Sequence, residues 1–211
     1  MCMNTPKITN KYIGKRLEWQ NIIDYLKENN FLGEGTKMIK NRLLPVKPFL
    51  QKNYGKLGDC TLTSVLVLTY FYTLGTYTDV EIYDYIEKIA KKYLYNGDTY
   101  GTIPIFNKAI VKETFKKFGV GRKITTKYFK DIGFNLEDIK KILDANQPIL
   151  ISIYKDGRKY YEHHTITIVG YITYKDNEGR EKTVLKVYDN WYTSAGFLDY
   201  DVLNFNATIC Y

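Results

Sequence analysis

The chain reads as an α+β protein, helical in its first part and built of antiparallel strands after Gln147. Three observations carry this reading. Before residue 146 apolar positions recur at helical spacing. After Gln147 they alternate in β-branched segments separated by turn residues. Helices and strands that come in separate blocks imply segregated layers rather than βαβ units. The third observation is one segment, Cys60 to about Leu74, that is apolar nearly all round and so must be buried on every side.

The elements follow in order. Leu17 to Asn29 is an amphipathic helix, ended by Asn30 to Gly35. Asn41 to Gly58, with Pro45 and Pro48, is an extended loop. Gly58 and Asp59 supply loop and N-cap chemistry for the central helix, which Gly75-Thr76 ends. Thr78 or Asp79 caps a helix running to about Leu94, with Val80, Ile82, Tyr83, Ile86 and Ile89 as its apolar positions. Asn96 to Thr102 is a turn, Ile103 to Phe118 a helix, and Asn135 caps a short helix over Leu136 to Ala145. Strands are expected at Ile149–Tyr154, Thr165–Tyr174, Lys182–Asp189, Gly196–Tyr200 and Ala207–Tyr211. Turns fall at Lys155–Arg158 and Asp176–Gly179, the latter joining a hairpin.

Composition sets the bounds. The 211 residues suffice for one domain, or two lobes around a cleft. A hydrophobic content of 45% with 26% charged residues excludes a disordered chain. The 21 tyrosines suit half-buried sheets and binding surfaces. The three cysteines, Cys2, Cys60 and Cys210, form neither a disulfide framework nor a CxxC motif, although a bridge between the terminal pair is conceivable. The two adjacent histidines have no ligand partners at metal spacing, so no metal or other cofactor is expected. No signal peptide and no membrane span are read. That leaves the compartment open: cytoplasmic, or secreted or cell-surface if a leader has been removed. The net charge of +8 is uneven: Lys108, Lys112, Lys116, Lys117, Arg122, Lys123, Lys127 and Lys130 face Glu113 alone. This run is either a solvated helix face or a site for an anionic polymer, and no nucleic-acid-binding motif accompanies it.

The chemistry begins at Cys60. A cysteine at a helix N-terminus sits among unpaired N–H groups and partial positive charge. These favour the thiolate, which is the nucleophile, and can also hold an oxyanion. The plain alternative is a small buried apolar residue. Two later segments add what a nucleophile needs. His163-His164-Thr165-Ile166-Thr167-Ile168 opens a strand with histidine, and Val187-Tyr188-Asp189-Asn190-Trp191 ends one with an acid, an amide and an aromatic ring. They offer a base, and a third group to orient it.

In that order and register the chain resembles the papain-like cysteine peptidase superfamily. His164 stands six residues before Gly170-Tyr171, as the superfamily's histidine does, and His163 does not fit that register. Ser64 is the small residue four positions after the cysteine, and Gln147-Pro148 opens the preceding strand. The acid at 189 and the Cys-x-x-Thr-Ser pattern are more similar to the bacterial leader-peptidase-like, bacteriocin-processing (C39-like) branch than to papain. The resemblance implies catalytic Cys60, His164 and Asp189, with Trp191 covering the histidine–carboxylate contact. Asn190 is the alternative third member. The superfamily's oxyanion glutamine lies six residues before the cysteine, where this chain has Tyr54. Gln51 is the favoured donor beside the backbone N–H of Cys60, and Asn53 also lies near.

The implied architecture is a helical lobe carrying the cysteine helix, packed on an antiparallel β-sheet lobe with the active-site cleft between. Residues 51–146 would form the helical lobe and 147–211 the sheet lobe. Residues 1–50 would be an N-terminal helical extension or a pro-segment. The expected function is peptide-bond hydrolysis through an acyl-enzyme, with a peptide or protein substrate and no nucleic-acid partner. An acyl or amide transferase or amidase of the same chemistry, and an inactive binding domain, are the alternatives. Oligomeric state is not legible.

Overall fold

The computed structural model of the chain describes residues 19–54, 58–99, 101–128, 134–153, 163–202 and 205–210. The expected turn at Lys155–Arg158, together with Leu17, Lys130, Tyr154 and Tyr211, lies outside the described residues. The order is α1 (Trp19–Glu28), β1 (Lys37–Leu43), α2 (Cys60–Tyr72), α3 (Asp79–Lys92), α4 (Asn107–Lys117), β2 (Ile124–Tyr128), α5 (Leu136–Asp144), β3 (Ile149–Ile153), β4 (His164–Lys175), β5 (Glu181–Tyr188), β6 (Gly196–Asp199) and β7 (Phe205–Cys210). Short 3-10 turns stand at Gln51–Asn53, Pro104–Phe106 and Tyr200–Val202.

Local chemistry accounts for the helix starts. Thr78 caps α3 in a full capping box with Glu81, and Asn135 caps α5 in one with Asp138; each cap contributes about 1 kcal/mol. At α2 the expectation needs correction. Asp59 occupies the N-cap position, but its side chain makes no cap hydrogen bond. Its two oxygens instead accept the hydroxyls of Tyr83 and Tyr95. The carboxylate is fully buried, and a buried charge persists only with such donors. The expected helix from Ile103 also starts later, because Pro104–Phe106 forms a 3-10 turn ahead of α4.

The seven strands among the described residues join one antiparallel sheet, in the order β2-β7-β3-β4-β5-β6, with β1 added to β4. β4 is the spine. Its first half pairs with β3 (Ile149↔Ile168 to Ile153↔His164) and its second half with β1 (Leu43↔Gly170 to Lys37↔Lys175). Its other edge pairs with β5 across a bulge between Ile168 and Gly170. β1 and β2 were not expected as strands. β1, Lys-Met-Ile-Lys-Asn-Arg-Leu, is almost wholly exposed and carries no period-two signal. β2 lies inside the basic run.

α2 is buried from Cys60 through Thr69 and packs against α3, α4, β3 and β4, as its uniform apolarity demands. α1 covers a separate part of the sheet, where Ile22, Tyr25 and Leu26 pack with Ile172, Tyr174, Val184 and Phe197. The Tyr25 hydroxyl donates to Asp199 at the same seam. No helix among the described residues is long and apolar enough to cross a membrane.

Candidate active site

Cys60 is the first residue of α2 and is 4% exposed. The loop before it is held by backbone contact: Gly58 N–H donates to Gly97 O at 2.9 Å. A Cβ on Gly58 would stand 2.7 Å from the Gly101 Cα, so neither chain could approach with a side chain between them.

His164 opens β4 and is buried. Hydroxyls on the neighbouring residues tie the two starting points together. Thr61 donates to Thr165 at 2.9 Å, and Ser64 donates to the Thr165 carbonyl at 3.2 Å. Thr102 donates to Thr61 at 2.5 Å, Ser152 and Thr165 share a bond at 3.0 Å, and Asn107 Nδ2 donates to Ser152 at 2.8 Å. This buried polar chain runs beside both the cysteine and the histidine. Sequence reading missed Thr102, Asn107 and Ser152, because they are unremarkable until folding lines them up. His163 precedes β4 exposed, with a left-handed φ of 47°.

The imidazole is oriented from two sides. Its Nε2 lies 2.8 Å from the backbone carbonyl oxygen of Asp189. A carbonyl only accepts, so Nε2 is the donor in this contact. The Trp191 indole stacks on the ring, centroid to centroid 4.2 Å and tilted 21°. Asp189 is fully buried, and its Oδ1 accepts the N–H groups of Trp191 at 3.1 Å and Tyr192 at 3.3 Å. The carboxylate thus builds the turn that carries the tryptophan onto the histidine.

Asn190, the alternative third member, turns elsewhere. Its Nδ2 lies 3.0 Å from Cys60 O, 2.9 Å from Ser64 Oγ and 3.0 Å from Thr165 O. Its own carbonyl accepts the Gln51 N–H at 2.8 Å. One buried amide residue therefore joins the cysteine helix, the histidine strand and the Gln51 turn. Its φ of 67° is left-handed, where asparagine is among the tolerated residues.

Gln51 starts its 3-10 turn buried, whereas Asn53 is exposed. Tyr54 faces away: its hydroxyl donates to Asp79 at 2.9 Å and its ring stacks on Tyr83 at 4.0 Å. Of the two amides near the superfamily's glutamine position, only Gln51 is carried inward.

A cysteine at the head of a buried helix, packed on an antiparallel sheet whose central strand opens with an oriented histidine, defines the papain-like cysteine peptidase class. Within it the chain belongs to the Peptidase_C39 like family, whose model matches residues 43–207. No curated protein matches the chain significantly. The family ties the chain to cysteine-peptidase-related function.

Proposed function

We propose that this protein is a cysteine peptidase that hydrolyses peptide bonds with Cys60 as nucleophile, His164 as base and Asp189 as orienting group. The observation that carries the reading is the His164 ring, with Nε2 on the Asp189 carbonyl and Trp191 stacked over it, at the head of a strand that the Thr61–Thr165 hydrogen bond ties to the start of the Cys60 helix. With Nε2 as the donor to Asp189, Nδ1 takes the thiol proton. The thiolate attacks the scissile carbonyl carbon, and the oxyanion is held by the Cys60 N–H with Gln51 as second donor. The imidazolium protonates the leaving amine as the tetrahedral intermediate collapses to a thioester. Water, deprotonated by Nδ1, then attacks the thioester and releases the acid and the thiol. Trp191 shields the His164–Asp189 contact from water.

The test is alkylation by iodoacetamide followed by mass spectrometry between pH 5 and 9, in the wild type, His164→Ala and Cys60→Ala. Cys60 should react well below the pH at which ordinary thiols react, and His164→Ala should remove that low-pH reactivity. Cys60 labelling that follows an ordinary thiol profile in the wild type, or ignores His164, would sink the proposal.

A further inference from the structure

α3 and α4 enclose a groove of about 790 Å³, lined by Tyr85, Tyr93, Lys112, Glu113, Lys116 and Lys117. Its carboxylate is already engaged: Glu113 accepts the Tyr93 hydroxyl and lies 3.6 Å from Lys92 Nζ. Lys108, Lys112 and Lys116 form an exposed row at i, i+4 spacing along α4. No carboxylate among the described residues pairs with them. Lysines in the last turn suit a helix C-terminus, but Lys108 stands in the first turn, where the dipole disfavours a cation. The helix's own stability therefore does not explain Lys108.

We propose that this groove is an exosite for an acidic segment of a polypeptide, the choice of a polypeptide resting on the peptidase reading. Four helical residues advance about 6 Å. Alternate residues of an extended chain advance about 6 to 7 Å, so carboxylates at every second position meet successive lysines of the row. The aromatic lining does not favour nucleic acid. Lys117 Nζ lies over the Tyr85 ring at 5.9 Å, the Phe118 ring meets Tyr85 edge-on at 5.7 Å, and Tyr93 packs on Phe106 at 5.5 Å. These rings are committed to internal contacts, whereas single-strand binding needs open ring faces for base stacking. α4 is also joined to the site through Asn107, whose amide reaches Ser152 beside Thr165.

The experiment uses the full chain with Cys60→Ala and follows fluorescence anisotropy of a short labelled peptide of alternating Glu and Ser. The comparisons are the same peptide with Gln for Glu, a single-stranded oligonucleotide of equal charge, and the Lys108→Gln/Lys112→Gln/Lys116→Gln variant. The acidic peptide should bind, the Gln peptide should not, and the triple variant should bind about tenfold more weakly at low salt. Circular dichroism melting checks that the triple variant is folded. Equal binding of the Gln peptide, an undiminished affinity in the folded triple variant, or tighter binding of the oligonucleotide overturns the proposal. Binding is read on a protein that cannot acylate. Failure here therefore leaves the Cys60 chemistry standing, and failure of that chemistry leaves this result standing.

Discussion

Asp189 contributes through two different groups, and the two can be separated. Its carbonyl receives His164 Nε2, while its carboxylate receives the N–H groups of Trp191 and Tyr192. An asparagine keeps the carbonyl and can keep the turn through its own Oδ1, losing only the negative charge. Asp189→Asn should therefore lose far less than the roughly 10,000-fold that follows where replacing the third group flips the histidine tautomer. Asp189→Ala, which removes the turn, should lose more, with a change in Trp191 fluorescence as the indole leaves the imidazole. Steady-state turnover and emission spectra of both variants check this. An equal loss in Asn and in Ala would show that charge, not the turn, is what the residue supplies. The residue signals were uneven in the sequence. Cys60 and His164 were legible because each opens an element and carries its own local pattern. The division of labour between Asp189 and Asn190 was not legible, since two adjacent polar residues at a strand end look alike until the partners of each are known.

At the scale of elements, β4 changes partner along its length, and Gly170 marks the change. A Cβ there would lie 2.1 Å from the Arg42 carbonyl oxygen and 3.0 Å from the Leu43 Cα. The glycine thus lets β1 join the sheet at the point where the pairing of β4 with β3 stops. Gly170→Ala should push β1 away and cost about 1 to 3 kcal/mol in urea unfolding; a stability equal to wild type would show that β1 contributes nothing to the fold. The same pairing bears on the N-terminal region. We propose that residues 19–50 are an integral part of the domain rather than a pro-segment. β1 completes the edge of β4, and α1 buries Ile22 and Leu26 against the sheet. α3 and α5 were readable because capping and helical periodicity are local, and α2 because its uniform apolarity is a continuous run in the sequence. β1 was not: its exposed, polar sequence owes its conformation to hydrogen bonds with β4, a partner more than a hundred residues away.

The whole molecule holds buried groups that keep their protons, and this sets its response to alkali. Burial raises the Cys210 thiol from 9.0 to about 12. Burial and the Asp59 carboxylate raise Tyr83 and Tyr95 as well, and burial with Asp199 raises Tyr25. For each, the folded state holds a proton that the unfolded chain releases at lower pH. The stabilisation is complete below the unfolded value and is lost as pH climbs toward the folded one. For Cys210 the window runs from 9.0 to about 12, with a slope of about 1.4 kcal/mol per pH unit. Urea unfolding at successive pH values should show stability falling above about pH 9, and Cys210→Ala should flatten part of that fall. An unchanged slope in the variant would mean that the tyrosines alone carry it.

What could be read from the linear chain was whatever is encoded among neighbours: the caps of α3 and α5, the uniformly apolar α2, the β-branched segments of β3 to β5, and the cysteine and histidine that open α2 and β4. Those features depend on interactions a few residues long, and they survive as pattern. The remainder was settled by folding. Asp59 gave up capping for two tyrosine hydroxyls, a polar heptapeptide became the strand β1, Asn190 became the tie between cysteine helix and histidine strand, and Lys112 and Lys116 came to line a groove with Tyr85 and Tyr93. Each of these depends on groups distant in sequence, and a side chain's partner is chosen by what the packed core brings within hydrogen-bond reach and leaves without water.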